Sequence, residues 1–166
     1  MELKIYLETT IVSYLTARPS RDLITAAHQQ ITQQWWDTQR ARFDLFVAPP
    51  VMQEAQAGDP EAAARRLAAL HGIPLLTFSE EATGLAQALI TPGPLPSNAV
   101  VDALHIAIAA VNGMHYLLTW NCTHIANAAI RSDIEDVCRA HGYEPPVLCT
   151  PEELLETKHD VARPDC

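Results

Sequence analysis

The chain has 166 residues, 48% of them hydrophobic and 19% charged, which suits one globular domain with a sizeable core. Its formal net charge of −9 argues against a broad electrostatic grip on nucleic acid, which uses a basic surface to displace phosphate counterions, and leaves room for a local one. No apolar run approaches the roughly 20 residues of a membrane span, and the opening MELKIYLETT lacks a signal-peptide pattern. The four cysteines (Cys122, Cys138, Cys149, Cys166) form no CxxC pair. A soluble, cytoplasmic chain with reduced thiols and no membrane association is therefore expected.

Residues 3–7 (LKIYL) read as a short buried strand, followed by the polar Glu8-Thr9-Thr10 and a helical pattern through Ile11, Val12, Tyr14 and Leu15. After Pro19-Ser20 a longer helix is predicted over residues 22–42, and a second strand over 43–48. Pro49-Pro50 opens a short helix that contains Glu54 and ends near Gly58. Asp59-Pro60 is a helix start, since Asp caps free amides and Pro tolerates the first helical position; the helix runs to Leu70 and stops at Gly72. Residues 74–78 are the third strand candidate, and Ser79 caps a helix with Glu80 and Glu81 in its first turn.

The Pro- and Gly-rich residues 91–96 read as a loop, after which Ser97 or Asn98 caps an apolar helix carrying Asp102. That helix leads through Asn112-Gly113 to a fourth strand at 116–119, which ends on Trp120-Asn121-Cys122-Thr123-His124. Residues 125–140 read as mostly helical and 146–149 as a fifth strand. Thr150-Pro151-Glu152-Glu153 has the capping-box spacing of a last helix, and residues 157–166 read as a flexible tail beyond a single domain at 1–156.

Strands separated by helices imply a parallel sheet covered on both faces, with functional residues beyond the carboxyl ends of the strands. Glu8 follows the first strand, Glu54 comes shortly after the second, Asn121 follows the fourth, and Asp102 starts the helix before the fourth. A carboxylate set among Val100, Val101, Leu104 and Ile106 is costly to bury unless its charge is compensated, so Asp102 calls for a partner. Taken alone, Glu8 equally reads as a helix N-terminal acid, Glu54 as a solvated helix residue, Asn121 as a turn cap and His105 as a packed or hydrogen-bonded residue. Six arginines (Arg18, Arg21, Arg40, Arg42, Arg65, Arg66) fall early and the chain from Asp133 onward is mainly acidic, which offers either a basic rim or ordinary solvated faces.

Four motifs occur in order: Ile5-Tyr6-Leu7-Glu8-Thr9-Thr10, the run from Ala48 to Glu54, Asp102-Ala103-Leu104-His105-Ile106-Ala107, and Leu117-Leu118-Thr119-Trp120-Asn121. In this order they resemble the motifs of PIN domains, the nuclease fold of VapC-type toxins in bacterial toxin–antitoxin systems. The resemblance implies a three-layer α/β/α sandwich around a five-stranded parallel sheet and Mg²⁺- or Mn²⁺-dependent hydrolysis of RNA. Glu8, Glu54 and Asp102 would be the metal ligands, Asn121 would stand at the fourth acidic position, and Thr10 would orient a metal-bound water or a phosphate. It further implies an antitoxin partner and a homodimer.

Elementary electrostatics is consistent with an ion: two carboxylates about 5 Å apart repel by roughly 3 kcal/mol at an effective dielectric near 20, a cost that a divalent cation removes. The chain departs from the family pattern at Glu8, where Asp is usual, and at Asn121, which offers a carbonyl but no charge. His105 or His124 is a candidate for base function. Cys122 and the histidines lack the paired spacing of a zinc site, and there is no GxGxxG or P-loop segment to cradle phosphates. The sequence thus points to a metal-dependent endoribonuclease, with a catalytically weakened PIN domain that binds RNA or protein as the alternative.

Overall fold

The structure, a computed structural model, describes residues 2–155. The expected tail and the last residue of the expected domain, residue 156, lie outside the described residues.

Strand β1 (Leu3–Leu7) lies at the centre of a parallel sheet, between β2 (Phe43–Phe46) and β3 (Tyr116–Leu118). Strand β4 (Val147–Cys149) extends the sheet beyond β3, giving the order β2-β1-β3-β4. Ile5 stands opposite both Leu45 and Tyr116, and Tyr116 opposite Val147. Ile5, Tyr6 and Leu7 are all buried, although successive strand residues point to opposite faces; both faces at the sheet's centre are therefore covered. The fold is α/β with a parallel sheet.

The sheet has four strands among the described residues, not the five expected. Residues 74–78 touch it only as a single bridge between Leu75 and Val47, in which Val47 N donates to Pro74 O (3.0 Å) and Leu76 N to Val47 O (2.7 Å). The chain turns into the Pro49-Pro50 helix directly after Val47 and Ala48, so the overlap is too short for a ladder, and Pro74 has no N–H to extend it.

Seven α-helices occur among the described residues, and their starts follow local chemistry. Helix α1 (Thr9–Thr16) is capped by the Glu8 carboxylate, α2 (Leu23–Thr38) by Asp22 and α4 (Pro60–Leu70) by Asp59, while α3 (Pro49–Ala55) begins on its prolines. Ser79 caps α5 (Glu80–Ile90), with Glu80 and Glu81 in the first turn as expected. Helix α6 (Val100–Val111) buries Ala103, His105, Ile106, Ala107, Ile108, Ala109 and Ala110 and packs on α5, which buries Leu85 and Leu89. Each fully buried Ile or Leu contributes about 1.5–3 kcal/mol. Gly113, at φ 69, closes α6 in a Schellman turn: its N–H reaches Ala110 O (3.1 Å) and Met114 N reaches Ala109 O (3.0 Å). This turn aims the chain into β3.

Four boundaries differ from expectation. The long helix ends at Thr38 and a separate 3₁₀ turn, Arg40–Arg42, leads into β2. Neither Ser97 nor Asn98 caps α6; the chain makes a turn there, with Ala99 N on Pro96 O (2.9 Å), and the helix enters from Ala99 without a side-chain cap. Helix α7 starts only at Arg131 and runs to Ala140. Before it, Asn121 Oδ1 accepts from Thr123 N and His124 N as a cap of the turn, and Asn127, bonded to Thr123 O, takes with its Oδ1 the Ala129 N that a continuing helix would use. The last helix is a single 3₁₀ turn, Pro151–Leu154, with the expected Thr150–Glu153 capping box. Among the described residues, no helix is long and apolar enough to cross a membrane.

Candidate active site

The sheet order reverses between β1 and β3, since β1 leads to β2 on one side while β3 and β4 extend the other. In open parallel sheets the crevice beyond the carboxyl ends at such a switch point is where ligands bind. Glu8 and Thr119 sit there as the residues directly after β1 and β3, joined through Glu8 N on Leu118 O (3.0 Å).

Glu8 is almost completely buried, at 4% exposure. Its Oε2 accepts from Thr10 N (2.9 Å), from the Thr10 hydroxyl and from Thr119 Oγ1 (2.9 Å). Burial pushes the Glu8 carboxyl above its ordinary value; the electrostatic pull of His105 and the donors from Thr10 and Thr119 oppose this without cancelling it. Thr10 Oγ1 also accepts from Trp120 N (2.8 Å), and Thr119 Oγ1 accepts from Asn121 N (2.9 Å). Glu8 therefore ties the start of α1 to the turn after β3.

Glu54, on α3, has a side chain that is 42% exposed. Its Oε1 accepts from Thr9 Oγ1 (2.7 Å) and pairs with His105 Nε2 (2.7 Å). The far side of the His105 ring is held by Tyr6, whose hydroxyl lies 2.6 Å from Nδ1; both residues are fully buried. Partial burial raises the Glu54 carboxyl, but the bonds from His105 and Thr9 and the charge of His105 together outweigh it, leaving it below the ordinary carboxylate range. Burial, then the nearby Glu8 and Glu54 carboxylates, drive the Tyr6 phenol well above its usual value, so it remains a hydroxyl.

Asp102 finds its partner in His124, with Nδ1 2.7 Å from Oδ2; the two side chains are 23% and 26% exposed. Asn121 does not project a free carbonyl into the site. Its Oδ1 bonds Thr123 N (3.2 Å) and His124 N (3.0 Å), which fixes the turn that carries His124, as the turn-cap reading of Asn121 expects.

The sequence-selected residues are brought to one edge. Thr9 links the Glu8 segment to Glu54, His105 links Glu54 to a point one turn after Asp102, and Thr119 and Asn121 link Glu8 to the His124 turn. Sequence reasoning gave no site role to Tyr6, Thr9 or Thr119. Tyr6 reads as strand core, and only the register of β1 beside α6 places its hydroxyl on His105.

The donors suit a hard divalent ion, because Glu8 Oε1, Glu54 Oε2 and Asp102 Oδ1 have no hydrogen-bond partner among the described residues. The arrangement is not a preformed cage: among the described residues, no three His, Cys, Asp or Glu side chains are grouped so as to hold a metal together. Each carboxylate is turned toward its own partner. No family model matches the chain, and no curated protein matches it.

Proposed function

We propose that this protein is a Mg²⁺- or Mn²⁺-dependent endoribonuclease of PIN-like, three-layer architecture, acting as the toxin of a toxin–antitoxin pair. What supports the reading is that Glu8, Glu54 and Asp102 all lie beyond the carboxyl ends of a parallel sheet, Glu8 at its switch point, each on its own partner and with one oxygen free of hydrogen bonds among the described residues. These three residues would hold the ion, which when bound would activate water and offset charge on a phosphodiester. Thr10 and Thr119 hold Glu8, and His105 and Thr9 hold Glu54. RNA and an antitoxin would be its partners, and a homodimer its assembly.

One observation favours a second reading, a PIN-like module that binds RNA or protein without cleaving. Every acid of the site already has a compensating donor within the chain, and Asn121 uses its carbonyl locally. One experiment separates the two: calorimetric titration of Mn²⁺ and Mg²⁺, with cleavage of a mixed RNA pool, for the wild type and Asp102→Asn. The enzyme reading requires ion binding and cleavage that are both lost in the folded variant. Cleavage retained in Asp102→Asn refutes it, and no ion binding in either protein, with RNA binding intact in both, supports the module.

A further inference from the structure

Glu54 is supported through a buried histidine and the tyrosine behind it. Two donors converge on one of its oxygens, Oε1: Thr9 Oγ1 and His105 Nε2, each at 2.7 Å. Behind His105, and as deeply buried, stands Tyr6, with its hydroxyl 2.6 Å from Nδ1 and its ring edge-on to the imidazole at 5.7 Å. The ring is thereby held at both nitrogens. A neutral imidazole accepts the Tyr6 proton at Nδ1, and an imidazolium donates there instead; in both states Nε2 carries the hydrogen that points to Glu54. Oε1 is thus occupied whichever state His105 adopts, and Oε2 is left without a partner among the described residues.

We propose that Tyr6 and His105 are positioning residues for Glu54: a buried two-step support that locks Oε1 and leaves Oε2 as the oxygen offered to a divalent ion. The ion itself rests on the function proposed above; the support does not. A carboxylate ligand whose second oxygen is hydrogen-bonded loses less freedom on binding a metal, and partners of this kind typically change metal affinity about 10–100-fold when removed. A histidine that merely fills core volume would lower stability on mutation and leave affinity alone.

The test is Mn²⁺ calorimetry on the full chain and on Tyr6→Phe, His105→Gln and His105→Leu, with thermal unfolding measured beside it. The Nε2 of glutamine stands in for the imidazole donor, whereas leucine has none. The expected result is a loss of about 10-fold or more in affinity for His105→Leu, a smaller loss for Tyr6→Phe, and substantial recovery in His105→Gln although both His105 variants melt earlier. Wild-type affinity in a folded His105→Leu overturns the proposal, and if that variant does not fold, wild-type affinity in Tyr6→Phe overturns it. If the wild type binds no Mn²⁺, the metal reading fails separately, and ¹³C side-chain relaxation of Glu54 decides. Freer motion in the variants supports the positioning role; unchanged motion refutes it.

Discussion

Thr119→Val probes the clamp around Glu8 with almost no change of shape. Thr119 is fully buried, its hydroxyl donates to Glu8 Oε2 at 2.9 Å and accepts from Asn121 N at 2.9 Å. A hydrogen bond to a charged acceptor contributes about 1.5–3 kcal/mol, and an amide left without an acceptor adds to the cost. The extra buried methyl returns about 0.8 kcal/mol, so the net loss is about 2 kcal/mol. With a urea m-value of about 2 kcal/mol/M, the unfolding midpoint should fall by about 1 M with the slope unchanged.

The cost should also depend on pH. The Glu8 carboxyl titrates above its ordinary value because of burial, and removal of one donor raises it further. Under conditions acidic enough to protonate Glu8 in both proteins, the bond to Glu8 is a neutral one worth about 1 kcal/mol, so the cost shrinks toward that value plus the pH-independent loss at the Asn121 amide. Urea curves at neutral and acid pH measure both quantities. A midpoint within about 0.2 M of wild type at neutral pH, or a cost that stays constant as the pH falls, would refute the reasoning.

Other perturbations give signs fixed by geometry. Glu54 is held below the ordinary carboxylate range, so its contribution is present above that range and lost as pH falls through the depressed value; Glu54→Gln should narrow its deficit against wild type as the medium becomes acidic, as followed by thermal melts. Glu8 works with the opposite sign: stability falls as pH rises from the ordinary carboxylate value through the raised one, and Glu8→Gln should flatten that slope. Gly113→Ala meets no atom within 4 Å at the new Cβ, so its cost is conformational, from φ 69: about 1–2 kcal/mol, seen as a lower Tm. Thr32→Val strips the acceptor from the buried Trp120 indole N–H (2.7 Å), at about 1–3 kcal/mol, and indole hydrogen exchange should report faster opening.

Much of the site's framework is legible in the amino-acid sequence. The run LKIYL, short and bounded by the polar Glu8-Thr9-Thr10, reads as a strand, and it is β1, an inner strand of the sheet. Asp59-Pro60, Ser79 and the Gly113 turn mark element ends because capping and positive φ are properties of one or two residues. The placement of Glu8, Glu54 and Asp102 on one edge follows from helices alternating with parallel strands. Signals failed where a local rule met a competing local bond or a missing overlap: Asn127 takes the Ala129 amide within residues 125–130, where the sequence pattern expects the helix to have begun, and residues 74–78 have one bridge instead of a strand.

The alternation of elements and the order of acids along it are properties of the sequence alone, since both arise from hydrophobic period and turn chemistry within a few residues. Which group answers each charge is a matter of tertiary packing. Asp102 meets His124 across 22 positions, Glu54 meets His105 across 51, and Tyr6 meets His105 across 99. Such pairings depend on the register of β1 against β3 and the seating of α6 beside them. No pattern along the chain encodes them, because a hydrogen bond is settled by tenths of an ångström that only the packed core fixes.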